Sequence, residues 1–166
     1  MTMLTPELKA WIGRQAHYPA HEELGRASIR YFALALQDDN PLYVDDAYAR
    51  AAGHAGVIAP PTLVCETCQY ANRQPDSEGY IGHEWHLPVP NSRMIRAGND
   101  YEFFRPVLAT DQISVTWTLE SITEKASSRG GTQLFVMSVA TYSDAQGQPV
   151  ALNRETLVFQ PMVTHA

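Results

Sequence analysis

The chain has 166 residues, 45% of them hydrophobic, and a formal net charge of −6, which suits one soluble domain with a single core. No apolar run is long enough to cross a bilayer, and no basic cluster offers a footprint for nucleic acid, so neither a membrane nor nucleic acid is expected as a partner. The opening MTMLTPELKAWIGR lacks a basic start and an unbroken apolar segment, and with only two cysteines the expectation is reduced thiols and a cytoplasmic location.

Residues 6–16 have Leu8, Trp11 and Ile12 on one helical face, with Pro6 suited to a first turn. RASIRYFALALQ (26–37) is a stronger helix, carrying Ile29, Phe32, Ala33 and Leu36 at i, i+3, i+4, i+7 spacing. LQDDNPLYVDD (36–46) follows as an Asn-Pro turn ringed by carboxylates, and DAYARAAG (46–53) reads as a short helix closed by Gly53. Asp45 and Asp46 suit its N-cap. After Pro60-Pro61, TLVCETCQYANRQ (62–74) is apolar enough for a buried helix that Thr62 could cap.

The period then changes. DYEFFRPV (100–107) reads as a strand with its proline at the exit. In QISVTWTLE (112–120), Ile113, Val115, Trp117 and Leu119 alternate with Ser114, Thr116 and Thr118, the pattern of a half-buried strand. GTQLFVMSVATYS (131–143) and PVALNRETLVFQP (149–161) supply two more, separated by a DAQG turn. Helices first and antiparallel strands afterwards give an α+β class, and a curved sheet wrapped round residues 62–74 would bury that apolar segment.

Two further patterns invite a metal: CETC (65–68) and HEWH (83–86). The histidine gap is shorter than the usual three to about five residues of zinc sites, and cysteines in a buried segment act as small hydrophobes, so no metal is expected. His83 and His86 sit in a loop beside Trp85 and nearby glycines and prolines, where they could close over a pocket or simply pack at the surface. Arg93, Arg96 and Arg105 could meet an anionic ligand or could be surface charge.

RYFALALQDDNPLYVDDAYARAAGHAGVIAPPTL and NDYEFFRPVLATDQISV resemble, in order and spacing, the two signatures of MaoC-like enoyl-thioester hydratases and dehydratases, over most of residues 26–160. The resemblance implies a single hot-dog domain: a long central helix wrapped by an antiparallel sheet and paired with a second such domain, as a homodimer or a heterodimer. It implies an acyl thioester of coenzyme A or acyl carrier protein as substrate, with no other cofactor, and water added to or removed from a trans-2-enoyl group.

The family's motif runs Asp-x-Asn-Pro-x-His, and here it reads Asp38-Asp39-Asn40-Pro41-Leu42-Tyr43. The resemblance places Asp38 as the catalytic carboxylate, Asn40 and Pro41 as the loop, and Tyr43 where the histidine belongs. A base for this chemistry should titrate near neutrality, whereas a tyrosine titrates near pH ~10. The family's His-Gly at the head of the central helix aligns with Pro60-Pro61, with Thr62 next. A backbone N–H there is the expected polariser of the thioester carbonyl, and Pro61 has none. That pattern is similar to the non-catalytic member of heterodimeric hydratases, which shapes the acyl pocket while its partner supplies Asp and His. Two rivals stand beside it: a self-sufficient hydratase homodimer using Asp38 with Tyr43 or a loop histidine, and a hot-dog thioesterase in which a carboxylate activates water.

Overall fold

Five antiparallel strands frame a computed structural model that describes residues 2–65, 68–127 and 131–162. In chain order they are β1 (Gln15–Tyr18), β2 (Ser92–Phe103), β3 (Ser114–Ala126), β4 (Thr132–Ser143) and β5 (Pro149–Pro161). They lie side by side as β1-β3-β4-β5-β2, every neighbouring pair antiparallel. The alternation read in the sequence sets the two faces. Val115, Trp117 and Leu119 of β3, Leu134, Val136 and Tyr142 of β4, and Leu157 and Phe159 of β5 enter one buried cluster, as period-two strands with one covered face require. Bulges between Leu119 and Ser121 and between Arg96 and Gly98 shift the register, which bends the strands and sharpens the twist.

Three short helices precede most of this sheet: α1 (Pro6–Lys9), α2 (Arg26–Leu36) and α3 (Asp46–Ala51). The helix expected over 6–16 stops after one turn. Gly13 turns the chain at φ +87°, and its N–H donates to the Leu119 carbonyl at 2.8 Å while Arg14 accepts from the Leu119 N–H at 3.0 Å. Pairing with β3 therefore draws the following residues into β1. In α2 the expected face is only partly covered: Ile29 and Ala33 are buried, whereas Leu36 is 56% exposed. Asp45 caps α3 by accepting from the amides of Ala47 and Tyr48. Asp46 does not cap; its Oδ2 accepts from Arg26 at 2.7 Å and its Oδ1 from the Val57 N–H at 3.1 Å, tying α2, α3 and the following segment together.

The long buried helix expected over 62–74 is corrected by the structure. The described residues form two 3-10 turns, Pro61–Cys65 and Cys68–Tyr70. Pro60 and Pro61 lack amide hydrogens, and Thr62 and Val64 are β-branched and indifferent helix formers. The Val64 carbonyl accepts from the side-chain amide of buried Gln69 at 3.1 Å, a local bond that competes with helix continuation. The turns nevertheless sit where the expected helix was placed: Leu63, Val64 and Cys65 are buried in the same cluster as the strands. Strand β2 begins eight residues earlier than the 100–107 run suggested and ends at Phe103, because most of its residues are exposed and leave no clean alternation to read. Among the described residues no helix is long and apolar enough to cross a membrane.

Candidate active site

The carboxylate-ringed turn is held open by its own side chains. Helix α2 ends at Gln37 in the left-handed region (φ +56°), which throws Asp38 outward into solvent. Asp38 Oδ1 accepts from the Asn40 N–H and Asn40 Oδ1 from the Leu42 N–H, both at 3.1 Å. Short polar residues before proline favour such Asx turns. Pro41–Tyr43 then forms one 3-10 turn, whose Leu42 carbonyl accepts from the Ile58 N–H at 3.1 Å. Ala59 in turn donates to the Val107 carbonyl at 2.7 Å. This chain of bonds sets the motif turn beside the paired prolines and the exit of β2.

Between them lies a cavity of about 310 Å³ walled by Tyr43, Ala59, Pro61, Val64, Phe103 and Arg105. Tyr43 is half-buried there. Burial raises its pKa above the ordinary tyrosine value, the nearby Asp38 charge raises it further, and a hydrogen bond with Asn40 only partly offsets both. The phenol is thus protonated throughout the physiological range. It can donate a hydrogen bond or orient water, and it cannot accept a proton from water at useful rates.

The other residues singled out in the sequence are placed as follows. Pro60 is buried and Thr62 is exposed at the start of the 3-10 turn. Both terminal nitrogens of Arg105 are engaged by Asp111, Asp144 and the Pro106 carbonyl at 2.8–3.3 Å, and those carboxylates raise its pKa. Arg93 bonds Gln160 across the β2–β5 pair. His83 and His86 are not among the walls of the Tyr43 cavity. His86 is exposed with φ +49°. His83 is 5% exposed, stacked on Trp117 and edge-on to Trp85, and its Nδ1 meets the Tyr18 hydroxyl at 2.8 Å. Burial chiefly, with the Arg73, His86 and Arg96 charges, lowers its pKa to about 4, so it is neutral at pH 7. Cys65 is buried, residues 66 and 67 between the two cysteines lie outside the described residues, and among the described residues no three His, Cys, Asp or Glu side chains converge as a metal site would need.

A second, larger cavity of about 660 Å³ opens on the inner face of the sheet, beyond Val64 and Cys65. Its walls include Tyr101, Trp117, Tyr142, Asn153, Glu155 and Arg96. Sequence reasoning missed it, although the signal was present: Asn153 and Glu155 fall on the same alternating face of β5 as Ala151 and Leu157, where apolar side chains are the rule.

These arrangements match known proteins. A family model described as the FAS1-like dehydratase domain region matches residues 10–153. The chain belongs to the FAS1-like dehydratase domain family. A UPF0336 protein of Mycolicibacterium paratuberculosis is 32% identical over 92% of this chain and 81% of its own length. A probable enoyl-CoA hydratase alpha subunit of Thermomonospora curvata is 30% identical over 95% of this chain, which spans about half (52%) of that protein. Among solved structures, the ChsH1–ChsH2 complex of Mycobacterium tuberculosis contains a chain that superposes with a TM-score of 0.70 at 21% identity, covering 90% of this chain and 86% of that one. Solved MaoC-like dehydratases share the architecture. This FAS1-like dehydratase domain is therefore a hot-dog fold, with its usual central helix represented, among the described residues, by 3-10 turns.

Proposed function

We propose that this dehydratase-family domain is the pocket-forming subunit of an enoyl-thioester hydratase or dehydratase, and that a second hot-dog domain supplies the catalytic Asp and His. The observation that carries this is Tyr43: it occupies the motif's histidine position, borders the cavity beside Pro61, and has a pKa raised by burial and by Asp38. Hydration places hydroxide on C3 of the enoyl group and a proton on C2, so the site must both take a proton from water and deliver one. A phenol held protonated beside a carboxylate orients water without activating it. The absent amide hydrogen at Pro61 removes a donor for the thioester oxygen from the same cavity. The substrate is an acyl thioester of coenzyme A or acyl carrier protein, whose acyl chain enters between Tyr43 and Phe103. The pairing of two different proteins in the ChsH1–ChsH2 complex and the alpha-subunit description of the Thermomonospora relative support a partner subunit.

The test uses purified protein and a series of trans-2-enoyl-CoAs. The protein alone should bind them and turn over negligibly. A positioned acid–base group is worth about 10²–10⁴-fold in rate, and an oxyanion donor independently about 10²–10³-fold. Tyr43→His alone should therefore stay nearly inactive, as should Pro61→Gly alone. Tyr43→His combined with Pro60→His and Pro61→Gly should give measurable turnover that Asp38→Asn removes. Brisk hydration by the unmodified protein, abolished by Asp38→Asn, would show instead a self-sufficient enzyme with Asp38 as its working carboxylate.

A further inference from the structure

The large inner cavity is polar where a sheet's covered face is ordinarily apolar. Asn153 is 4% exposed and Glu155 5% exposed, both on β5 between apolar neighbours. Burying such groups costs free energy unless they are bonded. Glu155 is satisfied in part by the guanidinium of Arg96, which also stacks over the Tyr80 ring at 5.1 Å. Asn153 is not satisfied: its Nδ2 donates to Asn99 Oδ1 at 2.9 Å, while its Oδ1 is fully buried with no hydrogen-bond partner. Exchanging the amide's O and N would still leave one polar atom without a partner on a residue that borders the cavity.

One stacked aromatic pair on β2 borders both cavities. Tyr101 borders the inner cavity and Phe103 the Tyr43 cavity. Their rings stack at 5.9 Å with planes 13° apart. Val64 and Cys65, consecutive in the Pro61–Cys65 turn, face one cavity each. An acyl group anchored at Tyr43 would have to follow this wall to reach Asn153, which borders the inner cavity.

We propose that the inner cavity is a specificity subsite for a hydroxyl group carried by the distal part of the acyl moiety, with Asn153 as its recognition residue. This rests on the acyl-thioester reading of the Tyr43 cavity. A hydroxyl both donates and accepts, so it completes the amide whichever atom faces it. Its partner elements are already ordered by the sheet, so little is lost in fixing them. A plain hydrocarbon of the same length would leave Asn153 unpaired and is disfavoured to the same degree.

The experiment compares ω-hydroxyacyl-CoAs of increasing chain length with their unsubstituted counterparts, by calorimetric titration of the intact protein. At the one length that reaches Asn153 the hydroxylated thioester should bind about tenfold tighter than its plain counterpart, the worth of one well-formed buried hydrogen bond. Asn153→Leu should erase that preference and keep or raise the thermal midpoint. Asn153→Ala should erase it likewise. Plain and hydroxylated thioesters binding equally at every length would overturn the subsite and leave the acyl-thioester reading standing. A preference that survives Asn153→Leu would overturn the role of Asn153. No binding of any acyl-CoA would defeat the underlying reading and the subsite with it.

Discussion

At the scale of single residues, burial shifts the protonation of Tyr43 and of His83 to opposite ends. Tyr43 is kept protonated at the mouth of a cavity, whereas His83 is kept neutral in the interior. His83 makes a measurable claim. Its pKa falls from 6.5 to about 4 on folding. Below pH ~6.5 the unfolded chain binds a proton that the folded chain refuses, so stability is full above that value. It declines as pH drops toward about 4 and levels off beneath it. The shift corresponds to roughly 3 kcal/mol at its limit. Urea midpoints taken at about pH 7 and about pH 4.5 should therefore fall more steeply for the wild type than for His83→Phe. Parallel declines in the two proteins would mean that His83 does not titrate differently on folding.

Among the elements, the sequence was most legible where period and chemistry agree. Strand β3 was visible because it alternates, β4 and β5 because β-rich runs flank the DAQG turn, and α3 because an aspartate precedes it and a glycine follows. Replacing that cap is a direct check: Asp45 accepts from two helix amides, and Asp45→Ala should lower unfolding free energy by about 1 kcal/mol in urea melts. An unchanged midpoint would mean that solvent caps α3 equally well. Less legible elements had non-local causes. The first-turn helix α1 is cut short by pairing with β3, more than a hundred residues away in sequence. The apolar 62–74 segment reads as a helix by composition alone, but Pro60, Pro61 and the Gln69 side-chain bond direct the described part into 3-10 turns. The motif turn around Asp38, Asn40 and Tyr43 was legible through resemblance and local turn chemistry. The inner cavity was not, because its polar residues come from β2 and β5 and meet only through strand register: Asn99 pairs with Glu155 and Tyr101 with Asn153.

At the scale of the whole molecule, one edge of the sheet is prominent. Strand β2 lies outermost, 12 residues long and paired on one side only. Met94 and Phe103 on it, and Phe104 just beyond, are each more than a third exposed. A long, partly apolar edge is a template for further pairing, and natural proteins cover such edges. Light scattering should therefore give a particle of about twice the 18.5 kDa chain mass or, with a second hot-dog chain present, a mixed dimer. A stable monomer that still binds acyl-CoA would show that the edge needs no cover.

The aromatic nest around His83 also gives the protein a native optical signal. Only three tryptophans are present; Trp11 lies against Arg14, while Trp85 and Trp117 both pack on the same imidazole. Trp117 is in addition a wall of the inner cavity and donates its indole N–H to Tyr70 at 2.8 Å. Whatever enters that cavity must change the polarity and hydrogen bonding around this indole. The emission wavelength and intensity of the unlabelled protein thus report occupancy of the interior directly, separately from any turnover at Tyr43.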